Sequence, residues 1–573
     1  MHPFINEIKF NIEIDVNNGK DIILQGLRLA WFARSAPSNS RPDETAMTNK
    51  PDVLPRTTDV LVIGFGPVGA ALCALLGRYG VTALAVDKVA EVVMAPRAIA
   101  LDNEALRILQ MAGLGEEAFE RFAIPEVRMH CPYLGQFGRA NTCGTIDGHP
   151  KLVTFYQPDL EHALRRQVAA YPGVAFRSGY ELVNFIQSDE GVTAHLKDED
   201  GVIHEVAARY LVGADGASST VRGLIGQDFQ GQTYPEDWLI VDAVRREEKA
   251  IDHVEFICRT DRPTPHMPAP GGRERWEFML KPGESHEEME RPEKVAELLA
   301  PWVAPEDLVI ERKAVYRFHA RCCDKFQQGR VFLVGDAAHI TPPFVGQGLV
   351  AGLRDVANLG WKLAWVVRGD ASPVLLDSYD TERRPHAKKM IGLAKLMGHL
   401  VMPRNTFKAL AVHGAMRLSG FVPFLRRQLE ELEIKPPNRF REGCLVKGQA
   451  RKGVCRGALI AQGLVRYEGK IQPSDDVLGD HLTLTGFGVD PRQYLDKATQ
   501  TRWEAQGGAF LQVGLHGQRS GNLTAFAEDL SDVLANSMSR GSLLVSRPDR
   551  VIMHDGLVQD AQRIVDDCLR LMQ

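Results

Sequence analysis

Three glycines in one short stretch have the spacing of a dinucleotide-binding turn. Gly64, Gly66 and Gly69 in DVLVIGFGPVG follow the β-rich run VLVI and precede ALCALLGRYG, which has helical composition. The first glycine permits a tight turn, the second lets a pyrophosphate approach the backbone, and the third lets helix and strand pack closely. Asp87 ends the next apolar run, TALAVD, where an acidic side chain accepts from a ribose hydroxyl. The pattern predicts dinucleotide binding, to either a nicotinamide cofactor or a flavin.

Two further aspartates stand at the ends of apolar runs and help to decide which dinucleotide binds. Asp215 ends the run in YLVGADGASSTVR, and Gly335 and Asp336 end the run in GRVFLVGDAAHITPPFVGQG. Gly346 and Gly348 then open a helical segment whose N-terminus can face a phosphate or a flavin ring carbonyl. NAD does not need the last two motifs. Three separated segments that converge on one long ligand therefore favour a flavin.

Length, composition and charge limit the possible classes of protein. A chain of 573 residues is too long for one hydrophobic core, so we expect roughly two to four domains. Hydrophobic residues make up 44% and charged residues 25%, which is ordinary for a soluble globular protein and excludes a mainly disordered chain. The net charge of -5 gives no basic face for nucleic acid, so we expect small-molecule partners.

The cysteines and the apolar segments predict a cytoplasmic protein. Nine cysteines show no C-x-x-C and no zinc-ligand spacing, which favours a reducing compartment and no metal site. The long apolar run from Val60 to Gly77 is broken by glycines and Pro67, so no membrane span is expected. The first 46 residues lack a signal peptide, and Met47 is a candidate natural start.

With these motifs, the sequence from about Thr58 to Pro385 resembles the single-component flavoprotein aromatic monooxygenases of the para-hydroxybenzoate hydroxylase type. PRAIALDNEALRILQ matches the segment in which an arginine, here Arg97, contacts the flavin. Gln157 in YQPDLEHALRRQ matches a glutamine that contacts it too, and SYDTERRP is another family signature. The resemblance implies that the glycines hold the ADP half of FAD.

The same resemblance implies that Pro343 and Leu349 lie beside the flavin. For Pro342 and Pro343, a rigid turn before the glycine loop explains the sequence equally well. Val350 stands where relatives often carry Asn or another polar residue, which leaves the fine positioning of the flavin open.

The middle of the chain narrows the resemblance. HVEFICRTDRPTPHMPAPGGRERWEFMLKPGE is most similar to 3-(3-hydroxyphenyl)propionate hydroxylases, although the tail SRPDRVIMHDG matches that group only loosely. The implied reaction is ortho-hydroxylation to the 2,3-dihydroxyphenyl product with oxygen and NADH or NADPH. Flavin performs the hard oxygen chemistry while the protein supplies binding and electrostatics.

The nicotinamide cofactor is expected to visit transiently. No second glycine fingerprint has the strand and helix context, and GLHGQRSG lacks both. The missing C-x-x-x-x-C also argues against a two-dinucleotide disulfide reductase. Three alternatives stay open: a different or larger phenolic substrate such as a polyketide or bicyclic phenol, a flavin reductase or oxidase that hydroxylates nothing, and a flavin-binding scaffold or sensor.

No catalytic residue is assigned from the sequence. A lone histidine is more often structural than catalytic, and an arginine beside a turn such as PGGRER is more often a solvated surface charge than a partner of a substrate carboxylate. The candidates weighed in this way are His266, His319, His339, Tyr316, Arg273 and Arg275.

The motifs predict an α/β fold with a Rossmann-like FAD-binding domain, an inserted mixed β-sheet domain over the substrate and a C-terminal thioredoxin-like domain. Because that last domain lacks C-x-x-C, we expect it to serve as a homodimer contact or a scaffold. The predicted boundaries are a flexible extension at 1–57, the FAD-binding domain at 58–225 and 320–400, the substrate domain at 226–319, a helical linker at 401–444 and the C-terminal domain at 445–573.

Overall fold

A computed structural model describes residues 53–573 except 93, 95, 247–250, 404, 431–434, 449, 452, 519–524 and 535–537. The chain divides into two compact units, Met1–Val53 and Leu54–Gln573, and the second is described below. Nearly all of the predicted extension, with Met47, lies outside the described residues.

A largely parallel sheet forms the centre of the FAD-binding part. Thr57–Ile63 is buried over VLVI and pairs in parallel with Ala83–Asp87 on one side and Ile203–Gly213 on the other. Such burial on both faces explains the unbroken apolar run. The strand order is Val174–Ser178, Ala83–Asp87, Thr57–Ile63, Ile203–Gly213, Val192–Lys197 and Glu181–Gln187, with Val331–Leu333 beside Ile203–Gly213 and Gln327–Gln328 beside Val331–Leu333.

Helices cover this sheet and place the predicted site residues at its edge. Pro67–Arg78 and Gly348–Arg368 pack against each other, because Gly352 and Gly360 leave room for side chains of the first helix. The other helices of this part are Asn103–Met111, Gln157–Ala169, Thr220–Leu224 and Ser378–Val401. Its small sheets comprise Ala100–Asp102, Leu152–Phe155 and Arg121–Ala123, and Thr145–Ile146 with His149–Pro150.

A second, mostly antiparallel sheet has two distinct faces. Trp276 and Phe278 lie on one face in a separate apolar cluster, which the helices His286–Met289 and Pro292–Leu299 close. The other face meets the FAD-binding part. The sheet extends beyond 226–319, and its order is His339–Ile340, Leu308–Cys323, Phe229–Arg245, Arg273–Met279, Thr264–Ala269, Val254–Ile257, Glu126–Cys131 and Gly135–Asn141.

A third sheet forms the C-terminal part. Its centre is parallel, from Leu482–Phe487 through Gly508–Gly514 to Phe526–Asp529. Leu464–Tyr467, Lys470–Pro473, Ser542–Ser546 and Ile552–Leu557 add antiparallel strands at the two edges. The accompanying helices are Ser474–Leu478, Lys497–Ala505 and Ala561–Arg570. Thr406–Ser419 and Pro423–Glu430 are helices that precede this part, and short 3-10 helices lie at Pro305–Asp307, Gly335–Ala337, Pro343–Val345, Pro373–Asp377, Pro491–Tyr494 and Val558–Asp560.

A buried ion cluster joins the C-terminal part to the FAD-binding part. The guanidinium of Arg547 donates to both carboxylate oxygens of Glu382, at 2.7 and 3.0 Å, and to Asp549 at 2.9 Å. Lys362 Nζ also donates to Glu382, at 2.8 Å. The side chains of Arg547, Glu382 and Lys362 are 0% exposed. The SRPDR and SYDTERRP segments are therefore parts of one contact.

Removing one charge from this cluster should destabilise the contact strongly. Arg547→Ala leaves the Glu382 and Asp549 carboxylates buried with too little positive charge, which we expect to cost about 3–5 kcal/mol. The matched control is Arg502→Ala, which removes an exposed pair with Asp566 and should cost less than about 1 kcal/mol. Melting temperature and limited proteolysis of both variants measure the difference, and equal effects would contradict the role of the cluster.

Candidate flavin site

The glycine turn has the geometry that a bound pyrophosphate needs. Gly64 has φ +98°, and a Cβ there would lie 2.4 Å from the Ala214 carbonyl oxygen. A Cβ on Gly69 would lie 2.1 Å from the Gly64 carbonyl oxygen, so strand and helix touch directly. Nothing lies within 4 Å of the Cβ position of Gly66, which leaves open space beside the backbone. Each glycine therefore meets a different steric requirement.

The helix that follows presents free backbone donors to this space. Gly66 is the N-cap of Pro67–Arg78, and no side chain caps that end. Unpaired N–H groups and the helix dipole make such an end an anion-binding site. Asp87 fixes the turn, because its Oδ2 accepts from Phe65 N at 2.7 Å and its Oδ1 from Val89 N at 3.1 Å. Each carboxylate oxygen retains a second lone pair for a ribose hydroxyl.

The two other strand-terminal aspartates differ in their partners. Asp215 is used inside its own turn, where it accepts from Ser219 Oγ at 2.6 Å and Val221 N at 3.1 Å. Asp336 is partly buried and has no hydrogen bond to any residue that the structure describes. Burial raises the pKa of both carboxyl groups. Asp336 is therefore the aspartate that is available to a ligand hydroxyl.

Gln157 and Arg275 hold the backbone beside Arg97. The side-chain oxygen of Gln157 accepts from Arg97 N at 2.9 Å and from Ala98 N at 2.8 Å. Arg275 donates to the carbonyl oxygens of Arg97, at 3.0 Å, and Pro96, at 2.9 Å. The Arg97 side chain is exposed, and its charge partly offsets the rise in the pKa of Asp336. Gln157 therefore positions this segment through its amide.

A second uncapped helix end lies beside the first. After the Pro343–Val345 turn, Gly346 adopts φ +61°, and Gly348 begins the helix Gly348–Arg368 with no side-chain cap. Leu349 is partly exposed at this end, whereas Val350 is 0% exposed.

Val68 brings together the two helices and the Gly335–Asp336 motif. A Cβ on Gly352 would lie 2.6 Å from Val68 Cγ2, and one on Gly335 would lie 3.2 Å from the same atom. The fold therefore assembles the three motifs at one edge of the sheet.

An aromatic cluster adjoins the Pro343–Val345 turn. The Phe344 ring is 6.0 Å from that of Trp238, 5.9 Å from that of Tyr234 and 5.8 Å from that of Phe318. Trp238 stacks on Phe318 at 5.3 Å. These rings place an apolar wall between the turn and the second sheet, and such a wall excludes water.

The three candidate histidines all have protein partners. His266 contacts Glu274 at 2.6 Å and Glu255 at 3.0 Å. These residues lie on the outer face of the second sheet, which carries Trp276 and Phe278; the opposite, inner face meets the FAD-binding part. His339 Nε2 contacts Asp355 at 2.7 Å, and His319 Nδ1 contacts the hydroxyl of Thr233 at 3.0 Å. These contacts support a structural role, not a catalytic one, for the three histidines.

The expectation that Arg275 is a solvated surface charge is wrong. Its side chain is 3% exposed and pairs with both oxygens of Asp242, at 2.6 and 3.0 Å. The antiparallel register pairs Arg275 with Asp242 across the sheet, which a sequence motif does not reveal. Arg273 forms a more exposed pair with Glu311 at 2.8 Å. Tyr316 accepts a short hydrogen bond from Arg312.

Sequence reasoning missed a charged group on the inner face of the second sheet. Asp242, Glu277 and Arg312 join Arg275 there. The signal was present in RERWEFM, where Arg273, Arg275 and Glu277 alternate with residues of the other face. A charge at every second position of a buried strand indicates a polar face turned towards another part of the protein.

Comparison with known proteins identifies the family. The FAD binding domain family matches residues 57–394, and the HcaD C-terminal domain family matches residues 457–571. The chain belongs to the FAD-dependent aromatic hydroxylases. The predicted cofactor, FAD, and the predicted α/β fold class are confirmed. The uncapped helix ends, the open space at Gly66 and the free Asp336 carboxylate fit that cofactor.

Three curated relatives carry one name, 3-(3-hydroxy-phenyl)propionate/3-hydroxycinnamic acid hydroxylase. The Burkholderia vietnamiensis protein, numbered 2, is 35% identical over 86% of this chain and 93% of its own length. The Burkholderia cenocepacia protein is 36% identical with the same coverage. The Comamonas testosteroni protein is 32% identical over 90% of this chain and 97% of its own length.

Solved structures share the fold. The flavin-dependent monooxygenase PieE, in complex with FAD and substrate, has a TM-score of 0.77 and 21% identity, over 91% of this chain and 100% of its own. Aklavinone-11 hydroxylase, in a ternary complex with FAD and aklavinone, has a TM-score of 0.72 and 22% identity, over 90% and 99%. Within the described residues, no helix is long and apolar enough to cross a membrane, and no cluster of His, Cys, Asp or Glu could hold a metal ion.

Two glycine-to-alanine variants test the turn geometry. Gly69→Ala places a methyl group 2.1 Å from the Gly64 carbonyl oxygen, so we expect the turn to shift and FAD to be lost during purification. Gly392 is also helical, but nothing lies within 4 Å of its Cβ position. Gly392→Ala should retain FAD and gain about 0.5–1 kcal/mol of stability. The flavin absorbance per protein measures retention, and full retention by Gly69→Ala would refute the close approach.

Proposed function

We propose that the protein hydroxylates 3-(3-hydroxyphenyl)propionate at the ring position next to the hydroxyl, with FAD, oxygen and NADH. The observation that carries the substrate is the shared name of relatives that are 31–36% identical to this chain over 81–91% of its length. The product would be 3-(2,3-dihydroxyphenyl)propionate.

We propose that the residues at the edge of the first sheet hold FAD in an extended form. The turn from Gly64 to Gly69 would bind the pyrophosphate, Asp87 the adenosine ribose, and Asp336 a hydroxyl of the ribityl chain. The helix end at Gly348 would face the flavin ring, which the remaining predicted residues would flank: Arg97, Gln157, Asp215, Gly335, Pro343, Gly346 and Leu349. Bound FAD, once reduced, supplies the activation of oxygen.

The protein's own contribution is to bind the phenol and to keep the site dry. The rings of Trp238, Phe318 and Phe344 exclude water from the space beside the turn. The Nε–H of Arg312 on the inner face of the sheet has no acceptor among the described residues, and it would stabilise negative charge on a phenol oxygen. An electron-rich ring held there is the reactant that the chemistry requires.

The remaining partners stay predictions. NADH or NADPH is proposed to reduce the flavin without a nucleotide-binding domain of its own, because GLHGQRSG, the other glycine-rich segment, lacks the strand and helix context of a second fingerprint. A homodimer and a cytoplasmic location are likewise proposed.

Substrate-stimulated turnover tests the proposed function directly. We expect the purified yellow protein to oxidise NADH much faster with 3-(3-hydroxyphenyl)propionate than without it, and the product to gain one oxygen by mass. Stimulation by larger phenols alone would move the proposal to another substrate. Oxygen uptake without any hydroxylated product would identify a non-hydroxylating flavoenzyme.

The proposed role of Asp336 predicts a loss of FAD affinity. A hydrogen bond to a charged group contributes about 1.5–3 kcal/mol, so Asp336→Ala should weaken FAD binding about 10- to 100-fold. Asp324→Ala, which removes a surface acceptor of Gln230, is the control and should bind FAD as the wild type does. Titration of the apoprotein with FAD by flavin fluorescence measures both, and unchanged affinity in Asp336→Ala would contradict the assignment.

A further inference from the structure

Glu277 is a buried carboxylate that has no partner among the described residues. It is 7% exposed and forms no hydrogen bond or ion pair with any residue that the structure describes. The other buried carboxylates of the same sheet are paired: Asp242 with Arg275, Glu274 with Arg245 and His266, and Glu126 with Arg128 and Arg139. An unpaired charge in a protein interior is costly, so this exception calls for a functional explanation.

The strand register places Glu277 on the inner face of the second sheet. Glu277 lies opposite Ile240, whereas its neighbours Trp276 and Phe278 belong to the outer apolar cluster. Trp238, on the same face, contacts Phe344 in the turn that opens onto the second helix end. Two residues before Glu277, on the same face, Arg275 binds the backbone beside Arg97. Glu277 therefore lies on the face that meets both flavin-site segments.

The charged groups around Glu277 are already committed to one another. Arg275 pairs with Asp242, and Arg312 donates to Asp242 at 3.2 Å and to the hydroxyl of Tyr316. Burial raises the pKa of Glu277 to about 7, against the charge of Arg275 and with a further rise from Asp242. The Nε–H of Arg312 is also buried and has no acceptor among the described residues. Among the described residues, the Glu277 carboxylate thus remains as an acceptor on this face, and the Nε–H groups of Arg312 and Trp238 remain as donors.

We propose that Glu277 accepts the proton of the substrate's phenolic hydroxyl. This inference rests on the proposed hydroxylation of a phenol. The O–H bond breaks, its electron pair stays on the phenol oxygen, and the proton forms a new O–H bond on Glu277. No electron is exchanged with the protein. The resulting phenolate is more electron-rich at the adjacent ring carbon, and the Nε–H of Arg312, which has no acceptor among the described residues, donates to its oxygen.

A carboxylate base gives a defined pH dependence. Glu277 must be ionised to accept the proton, so hydroxylation should fall as the pH falls through about 7. General-base catalysis contributes about 10²–10⁴-fold to a reaction rate, so Glu277→Gln should lower the hydroxylation rate at least about 100-fold. The variant should also lose the acid limb of the pH profile, which is the fall in rate below about pH 7. Glu311→Gln, on the strand Leu308–Cys323 of the same sheet, removes the partly exposed pair with Arg273 and should change neither the rate nor its pH dependence.

Two further readouts separate a base from a structural residue. Glu277→Gln should retain FAD and bind the acid, measured by the change in the flavin spectrum, within a few-fold of the wild type while NADH oxidation uncouples from product. A ring-fluorinated substrate, whose phenol is more acidic, should restore a larger fraction of the lost rate in Glu277→Gln than it adds in the wild type. If Glu277→Gln loses FAD, Glu277→Asp, which keeps a carboxylate, should retain the pH limb.

The outcomes distinguish this inference from the proposed function. Hydroxylation by the wild type together with an unchanged rate or pH limb in Glu277→Gln would overturn the role of Glu277 alone. Loss of substrate binding in proportion to rate, without rescue by the fluorinated acid, would also overturn it. A wild type that hydroxylates no phenol would remove the proposed function and this inference with it.

Discussion

The carboxylate of Asp355 is the contact on which the geometry of the flavin site depends. It is 0% exposed within the helix Gly348–Arg368 and accepts from Gly335 N at 3.0 Å, His339 Nε2 at 2.7 Å and Arg383 Nε at 2.9 Å. Although burial opposes its charge, His339 and Arg383 hold the pKa of Asp355 below its usual value. One carboxylate thus ties the third motif to both long helices, and charge-assisted hydrogen bonds of this kind resist distortion.

The same use of buried charge secures the C-terminal part. Glu382 accepts from Arg547 and Lys362, while Arg107 pairs with Asp475 through two contacts of 2.7 Å. Tyr379, in the same signature segment as Glu382 and Arg383, donates to the Leu333 carbonyl oxygen at 2.7 Å. The SYDTERRP signature therefore has a structural role. Its side chains join the first sheet, the helix Gly348–Arg368 and the C-terminal part. A C-terminal part attached in this way stabilises the FAD-binding part.

The two faces of the second sheet differ in the side chains that they bury. The outer face is an apolar cluster around Trp276 and Phe278. The inner face carries Asp242, Arg275, Arg312 and Glu277 in a low-dielectric setting, where fixed charges act strongly on a bound ligand. Period-two alternation along one strand builds both faces, so a single residue shift in register would place the charges in the apolar cluster. Correct pairing of this sheet is therefore a condition for folding.

The sequence alone determined the glycine turn and the three motif positions, because these depend on local requirements, and its resemblance to a known family indicated the FAD cofactor and the α/β class. A positive φ or a missing Cβ must be encoded at the position itself, as at Gly64 and Gly69. Only the tertiary structure decided which charges are free. Asp215 and Asp336 look alike in sequence, but one is used inside its turn and the other is not. Whether a buried charge finds a partner depends on strand register and on contacts between distant segments, which local sequence does not specify.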